Sequence, residues 1–252
     1  MNIDLFGINI LVTGASSGIG KAVTRVIAGS GARVAVHYNR NEESAAVITE
    51  EAGHVAQAFR ADLSLPEECF RLFADVVEQF GSVDVLVNNA GIIINSPPDD
   101  PPEQWVTDWN RTLMVNLTAA GILSREAVRH FIDRGGGRII NIASRAAFRG
   151  DTPEYLAYAA SKGGMVSMSR SIARAYGRHN IKSFVVAPGF VRTGMARQFI
   201  EQYGEGIVTD DLALDRLTEP DDVAPTVAFL ASGMMDHATG CTIDINAGSY
   251  MR

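Results

Sequence analysis

The sequence predicts an α/β protein, with one doubly wound parallel sheet of about seven strands and helices on both of its faces. Three observations carry this. Short β-branched runs alternate with longer helical stretches along all 252 residues. The strand candidates are mostly apolar throughout, as strands covered on both faces are. The connections are long enough for helical crossovers, which are right-handed and place helices on both sides of a parallel sheet. No repeat, low-complexity tract or linker divides the chain, so residues 1–252 read as one domain.

The elements follow in order. Asn9–Val12 reads as the first strand, followed by a glycine-rich turn and a helix from about Gly18 to Ala28. Arg33–His37 is the second strand, Glu42–Ala52 the second helix and Val55–Phe59 the third strand. Pro66 suits a first helical position, where its missing N–H is not needed. The helix it opens runs to Gln79 and stops at Gly81. Val83–Val87 is the fourth strand, and one long helical region covers roughly Glu103–Ile132, ended by Gly135-Gly136-Gly137. Arg138–Ile142 is the fifth strand, a helix spans about Pro153 to Tyr176, and Lys182–Val186 is the sixth strand. Pro220-Asp221-Asp222 opens the final helix, and Cys241–Ile245 is the last strand. The proline-rich Ser96–Pro102 is a loop, and residues 190–218 carry the mixed pattern of a mobile helical flap.

Bulk properties narrow the function classes. Hydrophobic residues make up 46% and charged residues 20% of the chain, enough apolar material for a large core. The net charge of -7 argues against nucleic acid and anionic membranes as partners. The two cysteines, Cys69 and Cys241, stand far apart, which suits a reducing cytoplasm rather than a disulfide framework. The five histidines show no metal-ligand spacing, so no metal site is expected. The chain begins MNIDLFG without a basic segment, and no apolar run approaches the ~18 residues of a spanning helix.

The first chemical motif is Thr13-Gly14-Ala15-Ser16-Ser17-Gly18-Ile19-Gly20, directly after the first strand and opening a helix. Glycines let the backbone turn sharply and approach a pyrophosphate, while a helix N-terminus offers free N–H groups and the positive end of its dipole. The spacing is G-x-x-x-G-x-G rather than the G-x-G-x-x-G fingerprint.

This turn resembles the cofactor turn of short-chain dehydrogenase/reductases, which share the Rossmann fold. Asp62-Leu63 resembles the adenine-flanking pair of that family, and Asn88-Asn89-Ala90-Gly91 its strand-four motif. Asn116, Ser144, Tyr158-x-x-x-Lys162 and Pro188-Gly189 follow in the family's order, and the match covers essentially the whole chain. The resemblance implies catalytic roles for Asn116, Ser144, Tyr158 and Lys162, with Asn116 holding a water that links Lys162 to solvent. It implies dinucleotide contacts from Gly14, Ser16, Ser17, Gly18, Ile19, Gly20, Tyr38, Asn39, Arg40, Asp62, Leu63, Asn89, Ala90, Gly91, Tyr158, Lys162, Pro188, Gly189, Val191 and Thr193. It also implies a homotetramer.

Tyr158 and Lys162 stand at i and i+4, on one face of a helix. A phenol has a reference pKa of about 10, too high for easy proton exchange at neutral pH, and a nearby ammonium lowers it. Such a pair can pass a proton to or from a substrate oxygen. Tyr155 has Ala159 four residues on and lacks that partner. Ser144 ends the fifth strand, at the carboxyl edge where open α/β sheets bind ligands, and its hydroxyl can stabilise charge on the same oxygen. The Ser144–Tyr158 interval is 14 residues where many family members have 13, which lengthens the pocket-side loop Arg145–Glu154.

The expected reaction is therefore NAD(P)-dependent interconversion of a carbonyl and a secondary alcohol. Tyr38 stands where NAD-binding members place a carboxylate, and Arg40 could pair with a 2′-phosphate, so NADP(H) is favoured with NAD(H) as the alternative. Ala187–Val191 and the tail Asp244–Met251 resemble 3-oxoacyl carrier-protein reductases. The basic residues that would hold a carrier are shifted by one, at Arg134 and Arg178 rather than at Gly135 and His179. A dehydrogenase of a sugar, polyol or other small alcohol is the alternative, and a non-catalytic dinucleotide-binding protein is the alternative from another class. Arg145 and Arg149 flank the expected pocket mouth, either as solvated loop residues or as holders of an anionic group on the substrate.

Overall fold

The structure, a computed structural model, describes residues 3–194, 200, 204 and 206–251, with only the backbone described for residues 207 and 208. Among these residues the strands form a seven-stranded parallel sheet in the order β3-β2-β1-β4-β5-β6-β7. The strands are β1 (Asn9–Val12), β2 (Arg33–Tyr38), β3 (Ala56–Arg60), β4 (Val85–Asn88), β5 (Gly137–Ile142), β6 (Ile181–Pro188) and β7 (Thr242–Ile245). The sheet's order reverses between β1 and β4, which pair in parallel with Leu11 opposite Leu86. The carboxyl ends of these two strands part there and leave the crevice in which doubly wound sheets bind ligands.

The helices cover both faces. α1 (Gly18–Gly29) buries Val23 and Ile27, and packs with the last long helix, whose Val223 and Val227 are also fully buried in the same core cluster. On the other face α3 (Pro66–Phe80) places Leu72 and Val76 in a cluster with Leu123 and Phe131. Each such side chain contributes roughly 1.5–3 kcal/mol of burial free energy, so the two apolar layers clamp the sheet. A polar seam crosses the sheet's interior. Asn88 on β4 donates to Asn141 on β5 at 2.9 Å and to Ser124 at 3.1 Å, and Ser183 on β6 shares a 2.8 Å bond with Ser169.

Several boundaries differ from the sequence expectation. β4 starts at Val85 rather than Val83, because the Asp84 carboxylate accepts the Asn9 N–H at 2.8 Å and holds that residue ahead of the ladder. β3 starts one residue late because Gly53–Val55 close a 3-10 turn. The expected helix Glu103–Ile132 is two helices, α4 (Pro102–Leu113) and α5 (Ala119–Arg134), joined by a π-turn at Met114–Thr118. A short α6 (Ala146–Arg149) lies in the loop after β5, and α7 (Leu156–Tyr176) starts after a 3-10 turn at Pro153–Tyr155. Cys241 lies outside β7, its N–H donating to Ala238 in the preceding turn.

The expected flap at 190–218 falls partly on residues 195–199, 201–203 and 205, outside the described residues. In the remainder, Val191 forms a parallel bridge with Thr218, and Gly206–Thr209 make a helical turn, α8, ahead of α9 (Pro220–Ala231). Among the described residues no helix is long and apolar enough to cross a membrane. No cluster of three His, Cys, Asp or Glu among them is placed to hold a metal.

Candidate active site

The turn after β1 is fixed by three side chains. Thr13 Oγ1 accepts the N–H groups of Asn89 and Ala90 at 2.9 and 3.0 Å and donates to the Val87 carbonyl. The Asn89 amide donates to the carbonyls of Thr13 and Gly14 at 2.8 and 3.1 Å. His37 Nδ1 accepts the Gly14 N–H at 2.9 Å, so its proton sits on Nε2, which faces the Ala61 carbonyl at 3.1 Å. Burial pushes this imidazole down to about 4 and keeps it neutral. None of these contacts was anticipated for Thr13 or His37. Thr13 adjoins a recognisable motif, but His37 meets partners 23 and 24 residues away, which leaves no local signal.

The turn has no room for side chains. A Cβ on Gly20 would stand 2.2 Å from the Gly14 carbonyl oxygen, and Gly14 has a φ of 61°. α1 begins with neither a side-chain cap nor an acidic residue in its first turn. Its first N–H groups thus face the crevice with a positive dipole end and no competing anion. Ser16, Ser17, Gly18 and Ile19 lie at this N-terminus, and a Cβ on Gly18 would lie 3.1 Å from Thr193. The turn therefore meets the segment that follows Pro188 and Gly189, where the Gly189 N–H donates to Ile245 and Val191 is buried.

At the end of β2 Tyr38 is buried, Asn39 partly so and Arg40 exposed. Asp62 holds the Ser64 N–H and hydroxyl at 2.9 and 2.7 Å. These bonds, with Arg40 and Arg111 adding less, keep its carboxyl below the usual range. Leu63 beside it is buried. No carboxylate from β2 stands at this edge.

Across the crevice, α7 brings Tyr158 and Lys162 up to Ser144 at the end of β5. The Ser144 side chain stands beside the Tyr158 hydroxyl and favours its ionised form, and its oxygen accepts the Ala146 N–H at 3.1 Å. Lys162 is 4% exposed, and its Nζ donates to the Ile142 carbonyl at 2.8 Å. That ammonium lies 5.8 Å from the centre of the Tyr158 ring, and a Cβ on Gly91 would be 3.5 Å from it. The expected lowering of the phenol is not what this arrangement produces. Burial pushes Tyr158 up to about 12, Ser144 opposes this only in part, and Lys162 is not among the groups that move it. Burial in turn pushes Lys162 down to about 8.

Asn116 occupies the π-turn, where an inserted residue redirects side chains, and it is fully buried. Its Oδ1 accepts the Ile92 N–H at 2.7 Å, and its Nδ2 donates to the Ile92 carbonyl and to Ser161 Oγ at 2.9 and 3.1 Å. Ser161, which the sequence did not single out, donates onward to the Tyr158 carbonyl at 2.7 Å.

Ser144 and Tyr158 face a cavity of about 540 Å³, lined also by Thr193, Arg145, Arg149 and Phe190. Ile19 of the turn lines the same space, so turn and hydroxyl pair open onto one site. The chain matches the short chain dehydrogenase family model over residues 9–204.

The protein belongs to the short-chain dehydrogenase family.

Its relatives span several chemistries. It is 35% identical over 250 residues to 3beta-hydroxysteroid dehydrogenase 1 of Eggerthella lenta, covering 97% of this chain and 94% of the relative. It is 35% identical over 244 residues to the 3-oxoacyl-(acyl-carrier-protein) reductase FabG of Staphylococcus aureus, covering 96% and 97%. Among solved structures, a candidate gluconate dehydrogenase from Agrobacterium tumefaciens superposes with a TM-score of 0.91 at 30% identity, over 99% of this chain and 98% of that one. A candidate NAD(P)-dependent gluconate 5-dehydrogenase from Beutenbergia cavernae, with NADP bound at low occupancy, gives 0.90 at 32% identity over 99% of both chains. The short-chain dehydrogenase reading of the sequence and its doubly wound sheet are thus established, and the protein is an oxidoreductase of this family.

Proposed function

We propose that the protein interconverts a carbonyl and a secondary alcohol, with Tyr158 giving or taking the proton at the substrate oxygen. A nicotinamide dinucleotide, when bound, supplies or accepts the hydride. One observation carries the reading: Ser144 and Tyr158 line the same cavity wall, with the buried Lys162 ammonium 5.8 Å from the centre of the phenol ring. In the reductive direction Ser144 donates to the carbonyl oxygen and Tyr158 hands over its proton as that oxygen gains charge. A phenol held near 12 keeps its proton until the substrate oxygen becomes basic. Asn116 acts here as a positioning residue, because its amide is committed to Ile92 and Ser161, one link from the Tyr158 backbone.

The turn fits a dinucleotide. Its uncapped N–H groups suit a pyrophosphate, and α1 packs so closely on the turn that a Cβ on Gly20 would strike the Gly14 carbonyl and the Asn89 amide. NADP(H) is favoured over NAD(H) because β2 ends without a carboxylate and with Arg40 exposed beside Asp62. A small free substrate fits better than a carrier-borne one. Arg134 and Arg178 precede β5 and β6, at the amino edge of the sheet, while the cavity opens at the carboxyl edge of the same chain. A 3-oxoacyl thioester remains within this reading, with a sugar, polyol or other small alcohol as the alternative. The cytoplasm is the proposed location and a homotetramer the proposed assembly.

Tyr158→Phe tests the reading, since it removes only the phenolic O–H. It is expected to lower kcat by roughly 10²–10⁴-fold while leaving the dinucleotide Kd within about twofold. A variant retaining more than about a tenth of wild-type kcat would refute the role, and a protein that binds dinucleotide but turns nothing over would favour the non-catalytic class.

A further inference from the structure

We infer that Arg145 recognises a carboxylate, and that the substrate is an oxo or hydroxy acid carrying that group near its reacting carbon. The inference rests on the carbonyl–alcohol reading above and names the substrate class for the same site.

Arg145 follows Ser144 directly, and its backbone N–H donates to the Pro188 carbonyl at 2.9 Å, which fixes it in the cavity wall. It is only 7% exposed. Its guanidinium lies over the Phe190 ring, 4.9 Å from the centroid. Nη1 is buried and has no hydrogen-bond partner among the described residues.

Two carboxylates stand near enough to have taken that role, and neither does. The closest Asp211 oxygen is 3.9 Å from Nη1, beyond hydrogen-bond length, and it already accepts from Arg149 at 2.8 Å. Asp151 accepts the N–H of Thr152 at 3.0 Å. Arg149 and Asp211 therefore satisfy each other at the rim, and Arg145 is left as the cation with an unmade bond inside. Burial lowers its hold on its proton, with Arg149 adding to this, yet a guanidinium stays charged. A buried charge left in this way is costly unless a ligand completes it. A neutral hydroxyl would satisfy the N–H but not the charge, whereas a carboxylate satisfies both and suits the planar guanidinium edge. The unpartnered N–H of Nη1 matches one oxygen of such a group.

The test uses the purified protein with NADPH and NADH. Oxo and hydroxy acids of four to six carbons, polyhydroxylated ones included, are each assayed against their methyl ester or amide. Within a pair only the charge changes. The acid member is expected to have the higher kcat/KM. Arg145→Met is expected to lower the acid-to-neutral ratio by about 10- to 100-fold, mainly through KM, as the loss of a charge-assisted bond does. Arg145→Lys should recover part of the ratio. Should Arg145→Met fail to fold, the ratio is read on Arg145→Gln and Arg145→Lys. Preference for the neutral member, or a ratio in the variants within twofold of wild type, overturns the inference and leaves the carbonyl–alcohol reading intact. Failure on every pair, by protein that turns over a 3-oxoacyl thioester or a neutral sugar or polyol, overturns the inference alone, and failure on all of these by protein that still binds dinucleotide overturns both.

Discussion

His37 shows how much one side chain can decide. Its neutral ring bridges the turn after β1 to the end of β3, and a proton on Nδ1 would remove the acceptor that holds the Gly14 N–H. The folded protein keeps this group near 4, below the ordinary value of 6.5, so the unfolded chain binds the proton first as pH falls. Stability is then present in full above 6.5 and is lost progressively between 6.5 and 4. Between pH 7 and 5 the loss assigned to this group is about 2 kcal/mol. Urea unfolding at the two pH values checks it: His37→Gln should show a smaller pH dependence than wild type, and an equal dependence would remove His37 from the account. At this scale the sequence was a good guide to chemistry carried by spacing and a poor one to chemistry carried by folding. The i, i+4 pair Tyr158–Lys162 and the strand-end Ser144 do come together. The burial of Arg145 and the partnership of Arg149 with Asp211, 62 residues away, leave no mark on local pattern.

Among the elements, the π-turn between α4 and α5 is the informative departure. Continuous helical periodicity from Glu103 to Ile132 gave no hint of an extra residue in the ladder, because a π-turn keeps helical backbone on both sides. The one signal was Asn116 itself, a poor helix former at mid-helix. Its amide takes both polar groups of Ile92 in the loop after β4, and so ties that loop to α7 through Ser161. Asn116→Ala strands two backbone groups and is expected to cost roughly 2–3 kcal/mol. In a chain of this size that is a fall in Tm of about 4–10 °C. Thermal unfolding measures it, and faster amide exchange at Ile92 would place the damage. An unchanged Tm would show that water replaces the side chain there. The strands were read more securely than the helices, since a run buried on both faces is apolar at every position, and errors there stayed at the ends, as at Val83 and Cys241.

In the whole molecule, a parallel, doubly wound sheet followed from alternation and handedness, while the strand order and the reversal between β1 and β4 are seen in the structure. Assembly does not follow in the same way. Val106 on α4 is 50% exposed and Ile132 on α5 is 39% exposed, large apolar side chains that an assembly could cover. The proposed homotetramer should scatter light with a mass near four times 27.1 kDa. A stable monomer at micromolar concentration would rule it out. The polar seam has a consequence of another kind. Asn88 and Asn141 reach across β4 and β5, and Ser183 beside them on β6 bonds back to α7, all inside an apolar sheet. A buried amide that loses its partner costs more than the pair contributes, so these positions cannot drift one at a time. Descendants of this sequence should keep the whole set or exchange it for apolar residues together, which makes the seam a lineage marker that strand hydrophobicity alone would never provide.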